Sequence, residues 1–119
     1  MWYAIYASEN RYCGGRGIET YDYVWLNNSA EAESIGIQMS LDLMESYSFL
    51  MDELYEDAGL PCYESHYELS DEELETLEEL MLENINYEIY ELNIPDDFNI
   101  ELFKSMDFDA VINTYYNKR

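Results

Sequence analysis

The chain has 119 residues, enough for one modest core and too few for two independent ones. Its 27 Asp+Glu against 5 Lys+Arg give a formal net charge of -22 and a pI near 4.1. That balance repels nucleic acid and anionic membrane, so direct DNA, RNA or lipid-surface binding is excluded. Acidic chains poor in apolar residues stay unfolded, but here 48% of residues are hydrophobic and 16% aromatic, 13 of them Tyr. The composition therefore predicts a single acidic domain over residues 1–119, folded against its own repulsion.

The opening stretch, Trp2 to Ser8, is aromatic and aliphatic and reads as a strand. No basic residue stands behind Met1-Trp2-Tyr3, so no secretory leader is read there. The longest apolar run, Met1 to Ala7, is seven residues, against about 20 for a membrane helix. Asn10 to Gly17 is glycine-rich and reads as a turn or flexible loop. From Glu19 to Leu26, Tyr21, Tyr23 and Trp25 alternate with Asp22, Val24 and Leu26, a second strand that makes an antiparallel hairpin with the first.

Asn27-Asn28-Ser29 supplies N-cap residues, with Glu31 and Glu33 where a helix dipole favours anions. Ala32, Ile35, Met39, Leu43, Tyr47, Leu50 and Leu54 follow helical spacing and predict one long helix, stopped by Gly59-Leu60-Pro61. Cys62 to Leu69, with Tyr63 and Tyr67, is ambiguous and could be a short strand. Ser70 and Glu73 have the form of a capping box opening a second helix. Its apolar stripe is Leu74, Leu77, Leu80 or Met81, and Ile85. Tyr87 to Leu92 reads as another strand. Pro95-Asp96-Asp97 introduces a last helical stretch through Leu102, Phe103, Met106, Val111, Ile112 and Tyr115. The expectation is α+β: a small antiparallel sheet, made of the N-terminal hairpin and one or two further strands, packed against two or three helices lying on one face.

Chemistry has little to work with. Cys62 and His66 are the minimum for a thiolate nucleophile, but no third residue orients the lone His. A buried small hydrophobe beside a surface imidazole is the plainer reading. Cys13 and Cys62 make no disulfide framework, which points to a reducing cytoplasm. A Cys-x3-His pair cannot fill a tetrahedral zinc site. Asp107-Phe108-Asp109 starts like a calcium loop but lacks its glycine and downstream glutamate. Cys13-Gly14-Gly15-Arg16-Gly17 lacks the Gly-Lys-Ser/Thr ending of a phosphate-binding loop and suits a hairpin tip better. No enzyme, metal or cofactor is expected.

The carboxylates remain. Residues 17 to 103 hold 24 of the 27 acids and no Lys or Arg. Asn (9) and Ile (9) are plentiful, as AT-rich coding produces, yet such coding also yields lysine and there are two. The shortage therefore looks like selection against positive charge. Acids spaced three and four apart share a helical face about 5–6 Å apart at Cβ and destabilise the helix by a few tenths of a kcal/mol per pair. A solvated face ordinarily interleaves Lys or Arg. Salt adaptation also produces acidic, lysine-poor chains, but fits the many large apolar and aromatic residues less well. Glu45, Asp52, Glu53, Glu56 and Asp57 on the first helix, with Asp71, Glu72, Glu75, Glu78 and Glu79 on the second, form the expected partner-binding face. Tyr47, Tyr55, Tyr63 and Tyr67 are its expected aromatic anchors, and the Gly14–Gly17 loop a secondary contact.

In size, lysine-free acidic body and Tyr- and Asn-rich background, the chain resembles the small acidic inhibitors of bacterial defence nucleases carried by phages and plasmids: anti-CRISPR proteins and DNA-mimicking anti-restriction proteins. The succession Ile5-Tyr6-Ala7, glycine loop, then Val24-Trp25-Leu26 before an acidic helix resembles anti-restriction proteins of the ArdA kind over some thirty residues. No functional residue is carried over from that family. The resemblance implies a protein of the bacterial host cytoplasm. Its carboxylates would engage the arginines and lysines of a CRISPR effector or restriction enzyme and exclude DNA. An acidic antitoxin or immunity protein neutralising a basic toxin would have the same electrostatics, and a small Cys62/His66 enzyme is a remote third reading.

Overall fold

The computed structural model describes residues 1–9, 18–61 and 68–116. The glycine loop, Cys62, Tyr63, His66, Tyr67 and the possible strand from Cys62 fall wholly or largely outside those residues.

Three strands form an antiparallel sheet in the order β2-β1-β3. β1 (Trp2–Glu9) is central, pairing with β2 (Ile18–Trp25) from Trp2↔Trp25 to Glu9↔Ile18 and with β3 (Tyr87–Glu91) from Tyr3↔Glu91 to Ala7↔Tyr87. The chain is α+β, as expected. Alternation sends successive side chains of β1 to opposite faces. Tyr3 and Ile5 look one way, while Trp2, Ala4 and Tyr6 look the other.

α1 (Ser29–Glu45) lies on the Tyr3–Ile5 face. The Asn28 side chain accepts from the Glu31 amide at 3.0 Å, which satisfies an orphan donor of the first turn, and Glu31 accepts from the amide of Asn27, just ahead of the cap, at 3.0 Å. Ala32 packs against Tyr3 and Ile5, with Ile35 and Met39 at the edge of that cluster. At Gly36 the helix approaches β3 so closely that a Cβ would sit 2.5 Å from the Tyr87 ring. Deeper along α1, buried Ser40 accepts from the Asn86 amide at 3.0 Å, and the Asn86 side chain donates to Ser8 at 2.8 Å. This chain of bonds fixes α1 against the sheet.

The single long helix expected through Leu54 is divided. After Glu45 the chain breaks, and α2 (Ser48–Asp57) starts anew. The Ser46 amide and hydroxyl both reach back to the Asp42 carbonyl, at 2.9 and 2.6 Å, and Tyr47 is extended. A serine hydroxyl bonded to the i−4 carbonyl competes with the helical ladder. The turn redirects Leu50, Met51 and Leu54 onto Leu77 and Met81 of α3 (Asp71–Glu83), which a straight continuation would not do. The Gly59 stop is found as read, with φ 71 just after the α2 C-cap. The capping box is also found: Glu73 accepts from the Ser70 amide at 3.0 Å, and the Ser70 hydroxyl accepts from the Glu73 amide at 3.2 Å. Leu74, placed in the apolar stripe, is 42% exposed.

The last helical stretch is divided too, into a 3-10 turn (Ile100–Ser105) and α4 (Phe108–Tyr115), with Met106 and Asp107 extended between them. The break lets Phe103 and Val111 both reach the sheet, where they bury with Ala4 and Leu92. Phe103 lies 4.9 Å from the Tyr23 ring. Helices on one face only is therefore corrected. α1 covers one face and the C-terminal segment the other, because β1 is apolar on both sides. The indole of Trp2 donates to the Asp96 carbonyl at 3.0 Å, anchoring the segment that leads from β3 to the 3-10 turn. No helix among the described residues is long and apolar enough to cross a membrane.

Candidate partner-binding faces

Of the ten carboxylates expected to form the binding face, Glu45, Glu53, Glu56, Asp57, Asp71, Glu72, Glu75, Glu78 and Glu79 are exposed. Asp52 is half-buried, with one carboxylate oxygen covered and unpartnered among the described residues. α1, α2 and α3 share one packing cluster through Met44, Leu54 and Leu77, so these acids stand on three helices packed together. Glu45 of α1 and Glu78 of α3 flank a groove of about 240 Å³ floored by Leu41, Met81 and Leu82.

Tyr47 stands at the junction of α1 and α2, 39% exposed, with its ring 5.7 Å from that of Phe49, which is 43% exposed. Helical spacing puts Tyr47 in the apolar run, although it is also expected as an exposed anchor, and gives Phe49 no role. The break at Ser46 reverses the first placement and makes the two an outward pair. Tyr55 is half-buried against the α2–α3 core. Tyr63 and Tyr67 lie outside the described residues.

The described residues hold 26 carboxylates and one Lys/Arg side chain, Lys104. Lys104 sits 2.6 Å from Glu101, both well exposed, so the lysine is already paired within its own turn. Lys104 is the one lysine or arginine among the described residues, and the ion pair it makes is with Glu101, outside α1, α2 and α3.

A second acidic feature, unforeseen from the sequence, lies on the sheet face that α4 covers. Tyr6 is opposite Tyr21 on β2 and Glu88 on β3. Phe108 lies over them, its ring 5.5 Å from Tyr6, 5.1 Å from Tyr21 and 5.9 Å from Tyr90. The rings and four carboxylates, Glu19, Glu88, Asp107 and Asp109, line a cleft of about 660 Å³. The Tyr6 hydroxyl donates to Glu19 and the Tyr90 hydroxyl to Glu88. Tyr6 is pushed up to about 12, first by its bond to Glu19 and then by burial. Burial, followed by the Glu88 bond, pushes Tyr90 to about 12 as well. Both phenols therefore remain neutral donors at ordinary pH. Strand alternation contained half of this signal, in Tyr21 on β2. The other half comes from α4, whose docking no local pattern reveals. Among the described residues no three Asp, Glu, Cys or His converge closely enough to hold a metal ion.

Compared with protein-family models, curated proteins and solved structures, the chain matches none.

Proposed function

We propose that this protein is an acidic decoy that occupies the nucleic-acid channel of a basic protein. Its target is the DNA-binding channel of a bacterial defence nuclease, a CRISPR effector ahead of a restriction enzyme. One observation carries this: 26 carboxylates face a single lysine among the described residues of a body measuring 49 × 28 × 25 Å. A formal charge of -22 over 49 Å is about one net charge per 2.2 Å of length, against one per about 1.7 Å along duplex DNA. A channel built for the duplex meets comparable charge density here.

Inhibition of this kind makes and breaks no bond. Arginines and lysines that would hold phosphates pair with helix carboxylates, and DNA is excluded. Each exposed pair contributes only about 0–1 kcal/mol, so charge mainly speeds encounter and sets orientation. Lifetime and selectivity come from apolar contacts, for which Tyr47 and Phe49 stand ready beside Glu45 and Glu53.

The test is displacement of labelled cognate duplex from purified, guide-loaded effectors and restriction enzymes. Loss of DNA binding is expected with at least one of them. The variant combining Glu53→Gln, Glu56→Gln, Glu72→Gln, Glu75→Gln and Glu79→Gln should inhibit about tenfold or more weakly. DNA binding left intact across the panel, or inhibition unchanged by the five substitutions, would overturn the proposal.

A further inference from the structure

The acidic, aromatic cleft beneath α4 lies on the sheet face opposite α1, apart from α2 and α3, and the proposed function makes no use of it. We propose that it is a binding site for a guanidinium group. Three properties lead there.

The first is shape and wall chemistry. A concave site of about 660 Å³ is bounded by the rings of Tyr6, Tyr21, Tyr90 and Phe108. The faces of such rings carry the negative end of the quadrupole and attract cations. The second is charge. Glu88 on β3, Glu19 on β2, and Asp107 and Asp109 at the start of α4 reach the cleft from three elements, and none of the described residues lining it is basic. The two aspartates also offset the positive end of the α4 dipole, which would otherwise oppose a cation.

The third is preorganisation. Glu19 and Glu88 are each held by a tyrosine hydroxyl, so their carboxylates are oriented before a ligand arrives. A planar guanidinium stacks on a ring while its edge donates to a carboxylate, and it sheds water more readily than an ammonium group. A metal ion fits less well, because no three ligands converge among the described residues. The group could be an arginine side chain of a protein or a free small guanidinium compound, and the cleft chemistry is the same for both.

The experiment is an NMR titration of the full chain with N-acetyl-arginine methylamide, N-acetyl-lysine methylamide and agmatine. The arginine analogue should bind saturably, with shifts centred on residues 6, 19–23, 88–90 and 107–110, and several-fold more tightly than the lysine analogue. Phe108→Ala should weaken it about fivefold or more. Because Phe108 also packs against the sheet, the conservative pair Glu88→Gln and Asp109→Asn provides a second variant, expected to weaken binding about tenfold with an unchanged backbone spectrum. An agmatine preference of tenfold or more identifies a free compound; parity identifies a protein side chain. Shifts spread over the α1–α3 acids, no saturation, or equal arginine and lysine affinity unaffected by the variants would overturn the inference. None of these outcomes bears on whether the helix face displaces DNA.

Discussion

Tyr6, Tyr23 and Tyr90 are pushed to about 12 from the usual 10.0, Tyr6 first by its bond to Glu19, Tyr23 by burial beneath Phe103 and Phe108, and Tyr90 by burial and then its bond to Glu88. The sign follows from which state holds its proton more tightly. Folded phenols bind protons more tightly than unfolded ones, so their contribution is complete below pH 10 and is lost as pH rises from 10 through about 12. Phenolate absorbance should therefore show a late-titrating class, smaller by one group in Tyr6→Phe and in Tyr90→Phe, with unfolding setting in over the same range. All 13 tyrosines titrating together near pH 10 in a folded chain would contradict the assignment. At this scale the sequence predicts the exposed acids well, because charge at helical spacing faces water almost wherever the helix packs. It puts Tyr47 both in the helical run and among the exposed anchors, and the backbone break at Ser46–Tyr47 leaves only the second placement.

Elements with a local signature are where the sequence puts them. β1, β2 and β3 follow aromatic and aliphatic runs, Asn28 caps α1, Ser70 and Glu73 open α3, and Gly59 closes α2. Both missed breaks, at Ser46–Tyr47 and Met106–Asp107, interrupt good helical spacing for the sake of contacts remote in sequence: Leu54 with Leu77, and Phe103 with the sheet. The close approach of α1 to β3 is another such contact, and it sets a test. Gly36→Ala should gain about 1 kcal/mol of helix propensity. The added methyl would lie 2.5 Å from the Tyr87 ring, which sits on the sheet and cannot simply swing away. Overpacking of this kind costs about 1–3 kcal/mol, so a net loss of stability is expected in thermal or urea unfolding. Equal or greater stability would mean that α1 and β3 are further apart.

For the whole molecule the governing fact is self-repulsion. A charge of -22, with one lysine among the described residues, should make the free fold more stable as salt screens it. Tm is expected to rise from about 20 to about 300 mM NaCl, and a fall would show the acids to be compensated. Binding to a basic partner should run the other way, weakening over the same range. The elongation behind the charge-density comparison, 49 Å against 28 and 25 Å, is invisible in composition.

The most direct test of the decoy account is capture of candidate defence nucleases on the immobilised protein, followed by elution with duplex DNA. The account predicts that a nuclease is retained and released by its cognate duplex far below the concentration at which unrelated duplex releases it. Retention that cognate DNA leaves undisturbed would place the contact outside the DNA channel and contradict the account, as would retention of no nuclease at all.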